Sequence, residues 1–155
     1  MRKRLLVLAL ALVMAIPLLG LAQVANEDRD AQPIEFATID VVVDPGDETL
    51  AAYQVEIEAV AAAIMIVGIE GGEHPEFAAP PYYDPAAMRH ERVIIAAFST
   101  AARDALPRGA SRVATIHVQI TGGETPRFEA TLTAAAAAGG REIDAKVHLK
   151  RNPKP

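Results

Sequence analysis

An all-β domain, an antiparallel sandwich of about seven to nine short strands behind an amino-terminal export signal, is the fold class this 155-residue sequence predicts. Three observations carry that expectation. Apolar and polar residues alternate at period two in segment after segment from Phe36 onward, the mark of strands with one wet face. Gly and Pro turn signals part these segments at short intervals. Beyond the amino-terminal apolar run, hardly any segment carries the 3.6-residue period of an amphipathic helix.

Met1-Arg2-Lys3-Arg4 is basic and Leu5 to Ile16 is uninterrupted apolar, the charged and apolar regions of a secretory signal. Pro17 and Gly20 break its helix, and Gly20-Leu21-Ala22 sets small residues where signal peptidase needs them, so residues 1–22 read as a signal peptide cut before Gln23. The expected location is secreted, periplasmic or in the cell envelope. Contact with a membrane is expected only if the signal stays uncleaved, since the apolar stretch up to Ala22 reaches the ~18 residues of a short spanning helix.

Without Arg2, Lys3 and Arg4, the 15 Lys and Arg fall to 12 against 20 Asp and Glu, net −8. An acidic surface repels polyanions, and the one basic cluster is the tail from Lys150 to Lys154, so no nucleic-acid partner is expected. With no cysteine there is no disulfide, thiolate zinc site or cysteine nucleophile, and stability rests on an ordinary hydrophobic core.

Residues 23–35, with Asn26, Glu27, Asp28, Arg29 and Asp30 and few large apolar side chains, predict a flexible leader. The domain proper is expected over 36–149. Phe36, Ile39, Val41 and Val43 lie in a β-branched run that ends at the turn Asp44-Pro45-Gly46-Asp47. In Leu50 to Glu58, Tyr53, Val55 and Ile57 share one face and Gln54, Glu56 and Glu58 the other. Ile64 to Ile69 reads as a buried strand stopped by Gly71-Gly72. A long connection, Gly71 to Arg92, follows; its prolines lack the amide protons a sheet ladder requires.

Arg92 to Ser99 is a strongly apolar strand, and Leu106-Pro107-Arg108-Gly109 a turn. Val113, Ile116, Val118 and Ile120 then interleave with Arg112, Thr115, His117 and Gln119. Phe128, Ala130, Leu132 and Ala134 form one face of the next segment, Gly139-Gly140 turns it, and Ile143, Ala145, Val147 and Leu149 face inward from the last. Residues 150–155 are expected as a solvated tail.

The order of these segments resembles a family. Ile39-Asp40-Val41-Val42-Val43-Asp44, then Leu50-Ala51-Ala52-Tyr53-Gln54-Val55-Glu56-Ile57, then Ile66-Val67-Gly68-Ile69-Glu70-Gly71-Gly72 are similar to the opening strands of cohesin-type domains, immunoglobulin-like β-sandwiches related to carbohydrate-binding modules. Ile94-Ile95-Ala96-Ala97-Phe98 and Val113 to Ile120 stand where two later strands of that family fall, so the likeness runs in order from Phe36 to Ile120. One departure concerns dockerin binding more than the fold. The family's Tyr-Asp-Pro element follows its Ala-Tyr-Gln strand directly, whereas here Glu58 to Ala63 occupy that place and Tyr83-Asp84-Pro85 lies in the later loop. The resemblance implies a secreted, non-catalytic binding or scaffolding module whose partner is an extracellular protein module of the dockerin type, or a polysaccharide.

The candidate binding residues are Phe77, Tyr82 and Tyr83, the densest aromatic group in a chain without tryptophan, together with the polar face Gln54, Glu56 and Glu58. Rings folded back as a lid over the sandwich are the competing expectation for the aromatics. No cofactor is required. Asp40, Asp44 and Asp47, with Glu48, offer the oxygen ligands calcium takes, against a plainer role as turn formers. Glu73, His74, Glu76, Asp84, His90 and Glu91 bring imidazole and carboxylate to the long loop, without a recognisable metal spacing.

Ser99 and Ser111 lack a nucleophile-elbow setting, and His74, His90, His117 and His148 are scattered, so an enzyme is not expected. The alternatives are a structural component of the cell envelope or extracellular matrix and, behind it, a metal-dependent hydrolase working through Asp84 or His90.

Overall fold

The computed structural model describes residues 32–60, 63–123 and 125–153. The signal expected at 1–22, the leader up to residue 31, Ala61 and Ala62, and the last two residues of the tail lie outside them. Eight strands run through the described chain: β1 (Ile34–Asp44), β2 (Ala52–Val60), β3 (Ala63–Gly71), β4 (Tyr82–Tyr83), β5 (Arg92–Phe98), β6 (Ser111–Thr121), β7 (Arg127–Ala136) and β8 (Lys146–Pro153). All pairings are antiparallel, in two sheets ordered β3-β6-β1-β8 and β4-β5-β2-β7. The fold is all-β, consistent with a β-sandwich, as the alternation predicts.

One core lies between the sheets. Ile39, Val41 and Val43 enter it from β1, Val113, Ile116, Val118 and Ile120 from β6, and Tyr53, Val55, Ile57, Val93 and Ile95 from β2 and β5. Each fully buried Val or Ile contributes about 1.5–3 kcal/mol relative to exposure, which is how a cysteine-free chain holds two sheets together. The expected faces of β2 are those observed, with Val55 sealed from solvent and Gln54 and Glu58 exposed; on β1, Ile39, Val41 and Val43 are buried whereas Phe36, two residues from the strand's start, is exposed.

Register irregularities reshape the alternation at three places. On β6, Val41 pairs with Ala114 but Val42 with Arg112, so Val113 is an extra, bulged residue. A bulged residue leaves the ladder, and the Val113 carbonyl instead accepts the Tyr53 hydroxyl at 3.1 Å. With the bulge, Val113, Ala114, Thr115 and Ile116 are buried in succession; Thr115 stands opposite Asp40 on the polar side and is covered there by its hydrogen-bond partners. Its hydroxyl donates to Asp40 Oδ1 at 2.9 Å and accepts from Arg112 at 2.8 Å. Thr133 is skipped in the β2–β7 register and Val67 in the β3–β6 register.

Three expectations need correction. Ile64 to Ile69 is not a buried strand: β3 is an edge strand burying Ile66 and Ile69, while Met65 and Val67 face out. Continuous apolarity does not tell the interior of a sheet from its margin. The basic end of the chain is not a solvated tail up to Pro153, because Lys150 to Pro153 belong to β8 and pair with Asp40 back to Ala37. Asp40 stands opposite Lys150, and Asn152 Nδ2 donates to Asp40 Oδ2 at 2.7 Å, so cross-strand charge and hydrogen bonding seat a segment whose composition suggested solvent. At the other end β1 begins at Ile34, two residues inside the expected leader.

The long loop is ordered around its glycines and prolines. A Cβ on Gly71 would stand 2.1 Å from the Ala78 carbonyl oxygen and one on Gly72 2.3 Å from that of Arg112, so only glycine lets the chain turn back this closely. Two short 3-10 turns follow, Pro75–Phe77 and Pro85–Arg89, with β4 between them.

Candidate functional site

Strand pairing in the β4-β5-β2-β7 sheet lays its outward residues in rows. Phe98, Ala52 and Ala136 form the first; Tyr82, Ala96, Gln54 and Ala134 the second; Ile94, Glu56 and Thr131 the third; Arg92, Glu58 and Glu129 the fourth. The face therefore grades from aromatic and methyl groups at one end to carboxylates at the other. Small alanines between larger neighbours leave a trough of about 520 Å3, floored by Ala52, Ala96, Ala134 and Ala136 and bounded by Tyr82, Phe98, Gly140 and Glu142.

Tyr82 and Phe98 are 73% and 64% exposed, with ring centroids 6.4 Å apart and planes 13° from parallel. Large apolar rings held side by side in water leave a contact area that is favourable to cover. Across Tyr82 lies a second depression of about 420 Å3, reached by Asp84, Arg92 and Ile94.

The polar groups of this face are set by their neighbours. The Gln54 amide donates from Nε2 to the bulged Thr133 hydroxyl at 2.9 Å, and that hydroxyl donates to the Gln54 main-chain oxygen at 3.1 Å. Arg92 donates from Nε to Glu56 Oε1. That hydrogen bond, with the charge behind it, holds the Glu56 carboxyl below its usual range and raises Arg92. The far rim is the turn after β7, where Gly139 and Gly140 take φ of 79° and 78°, a left-handed geometry costly for other residues. Arg141 from the same turn reaches Glu48 at 2.8 Å.

No family model, curated protein or solved structure matches this chain. Its function therefore has to be argued from its own side chains.

Of the candidate residues, Tyr82, Gln54, Glu56 and Glu58 share this outer face. Phe77 does not: it is 2% exposed, and its ring meets that of Tyr53 edge-on at 5.4 Å within the core. The 3-10 turn at Pro75–Phe77 carries it there, which is the folded-back lid at this one ring. Tyr83, one residue after Tyr82 in β4, points the opposite way and packs half-buried on the core.

The structure does not gather Asp40, Asp44 and Asp47. Asp40 is held by Thr115 and Asn152, and Asp44 accepts the Gly46 amide at 2.9 Å as a turn former. In the long loop, His74 Nδ1 accepts the Glu76 amide and Asp84 Oδ1 the Ala86 amide, each capping a 3-10 turn. Among the described residues no three His, Asp or Glu stand close enough to hold a metal ion.

Phe98, Glu142 and the alanine floor are the site residues that inspection of the sequence misses. Arg92 was the available signal. A charged residue heading an apolar strand marks the wet face, and Ile94, Ala96 and Phe98 share its parity.

Proposed function

We propose that this chain is an exported, non-catalytic binding module that takes an extracellular protein partner on the outer face of the β4-β5-β2-β7 sheet. The observation that carries the reading is the Tyr82–Phe98 pair, two exposed and nearly parallel rings over a floor of alanines, a patch of the kind that marks interaction surfaces. The sheet is four strands wide, about 14 Å at the usual strand spacing, which gives room for a secondary-structure element of a partner. The likeness to cohesin-type domains supports a dockerin-type partner, and the all-β architecture agrees with that likeness. Export rests on the amino-terminal pattern at residues 1–22.

A polysaccharide is the second reading, favoured by the near-parallel rings, since sugars stack on such surfaces. The test uses the chain as exported, with its amino terminus determined by mass spectrometry and expected at Gln23. Parent and a Tyr82→Ala/Phe98→Ala variant are used to capture proteins from the source's extracellular fraction and are sedimented with insoluble polysaccharides. Capture of a defined protein module by the parent, lost in the folded variant, is the expected result. Sedimentation with polysaccharide alone would move the reading to sugars. A parent that captures neither would favour a structural component of the envelope or matrix.

A further inference from the structure

The rings and the alanine floor account for the apolar end of the trough but not for its rim. Glu142 is the one charged side chain among the described residues that line it. It is exposed, and none of the ion pairs or side-chain hydrogen bonds among the described residues includes its carboxylate. Arg141, the adjacent cation, is drawn off to Glu48, which also receives Arg103 at 3.4 Å. The main chain that carries the carboxylate is nevertheless paired. Glu142 bridges to Ala136, the Ala137 amide donates to Arg141 at 2.8 Å, and the Ile143 amide donates to Ala135 at 3.0 Å. A negative charge thus stands at the edge of an apolar trough that Tyr82 and Phe98 also line.

Few chemical groups satisfy both walls. An aliphatic chain suits alanine methyls and ring faces, whereas an anion is repelled by Glu142 and by Glu58 and Glu129 further along the same face. A cation is attracted by the carboxylate and by the negative faces of Tyr82 and Phe98 together. A second copy of this chain would bring another acidic face and is disfavoured by like charge.

We propose, resting on the binding reading above, that the trough seats a lysine or arginine side chain of the partner protein, its methylene stem along the alanine floor beside Tyr82 and Phe98 and its cationic head at Glu142. Basic side chains are suited to this, because their stems bury on apolar surface while the head stays at a polar rim. The partner surface is accordingly basic at this position.

The test titrates the exported chain, followed by NMR, with Nα-acetyl-lysine methylamide, Nα-acetyl-arginine methylamide and, as the opposite charge, Nα-acetyl-glutamate methylamide. The basic probes are expected to give saturable shifts at Ala96, Phe98, Ala134 and Glu142, and the acidic probe none there. Glu142→Gln and Tyr82→Ala should each weaken the basic probes about threefold to fivefold with the rest of the spectrum unchanged. Equal response to acidic and basic probes, absence of saturable shifts at the trough, or full affinity in Glu142→Gln would overturn the inference. Should the probes fail while partner capture is still lost in Tyr82→Ala/Phe98→Ala, this inference alone falls. Capture retained by that variant overturns the binding reading itself.

Discussion

The two outer faces of the sandwich are built on similar four-stranded frames and differ in how their polar side chains are paired and in where their aromatic rings stand. On the β3-β6-β1-β8 side, Arg112, Thr115, Asp40 and Asn152 form a connected chain of hydrogen bonds, with Arg112 also donating to the Gly71 carbonyl at 3.1 Å, and His117 Nε2 lies 3.1 Å from Glu70. The His117–Glu70 approach is off the hydrogen-bonding line, and His117 Nε2 is left without a hydrogen-bond partner among the described residues. On the β4-β5-β2-β7 side, the Arg92–Glu56 pair and the Gln54–Thr133 clamp leave aromatic rings, alanines and Glu58, Glu129 and Glu142 turned to solvent. Polar groups that satisfy one another stabilise a face. Exposed apolar area is found on both faces, since Ile34, Phe36, Met65 and Val67 are exposed on β1 and β3; the stacked Tyr82–Phe98 rings over an alanine-floored trough are found on the second sheet, and the proposed binding role rests on them.

The largest expected effect tests the register on which the comparison depends. Val55→Asp puts a charge where no solvent reaches and should leave no folded population by circular dichroism, whereas Glu56→Ala next to it should keep the melting temperature within a few degrees. Equal behaviour of the two would mean the faces are assigned wrongly.

Asp40→Ala on the self-satisfied face comes next. Losing acceptors for Thr115 and Asn152 should cost about 1–3 kcal/mol in urea denaturation, and partner capture by the folded fraction should not change. Thr133→Val removes the clamp on Gln54 and should cost about 0.5–1.5 kcal/mol. Tyr82→Ala should move stability by no more than about 0.5 kcal/mol while abolishing capture, so the two faces separate stability from binding.

The smallest effect is one of pH. Arg92 lowers the Glu56 pKa in the folded state, so the pair's contribution is present above the ordinary glutamate range and is lost as pH falls through the depressed value. The stability difference between parent and Glu56→Gln should accordingly vanish on acidification below about pH 4, and a difference persisting into strong acid would speak against the pair.

How much of this was legible in the sequence depends on whether side-chain period or backbone pairing decided it. The faces of β2 follow from alternation, because Tyr53, Val55 and Ile57 keep strict step with Gln54, Glu56 and Glu58. Val113 is inward out of step with Ile116, Val118 and Ile120 because a bulge there breaks the period, and no residue type announces that bulge. Lys150 to Pro153 looked like tail because charge reports affinity for water, not that β1 has an edge left to pair. Tyr82 and Phe77 are both aromatic residues in one proline-rich loop, and only the turn at Pro75–Phe77 and the pairing of Tyr82 with Ala96 send one ring inward and the other out. Phe98 was hidden because a strongly apolar strand offers no polar alternation to tell its outward side from its inward one.

The most direct test of the central claim is the affinity of the captured partner for matched single variants of the two faces, Phe98→Ala and Met65→Ala, each removing a large exposed apolar side chain. The account predicts at least a tenfold loss, about 1.4 kcal/mol, for Phe98→Ala and parental affinity for Met65→Ala. Loss in Met65→Ala with Phe98→Ala unaffected would contradict it and move the binding face to the other sheet.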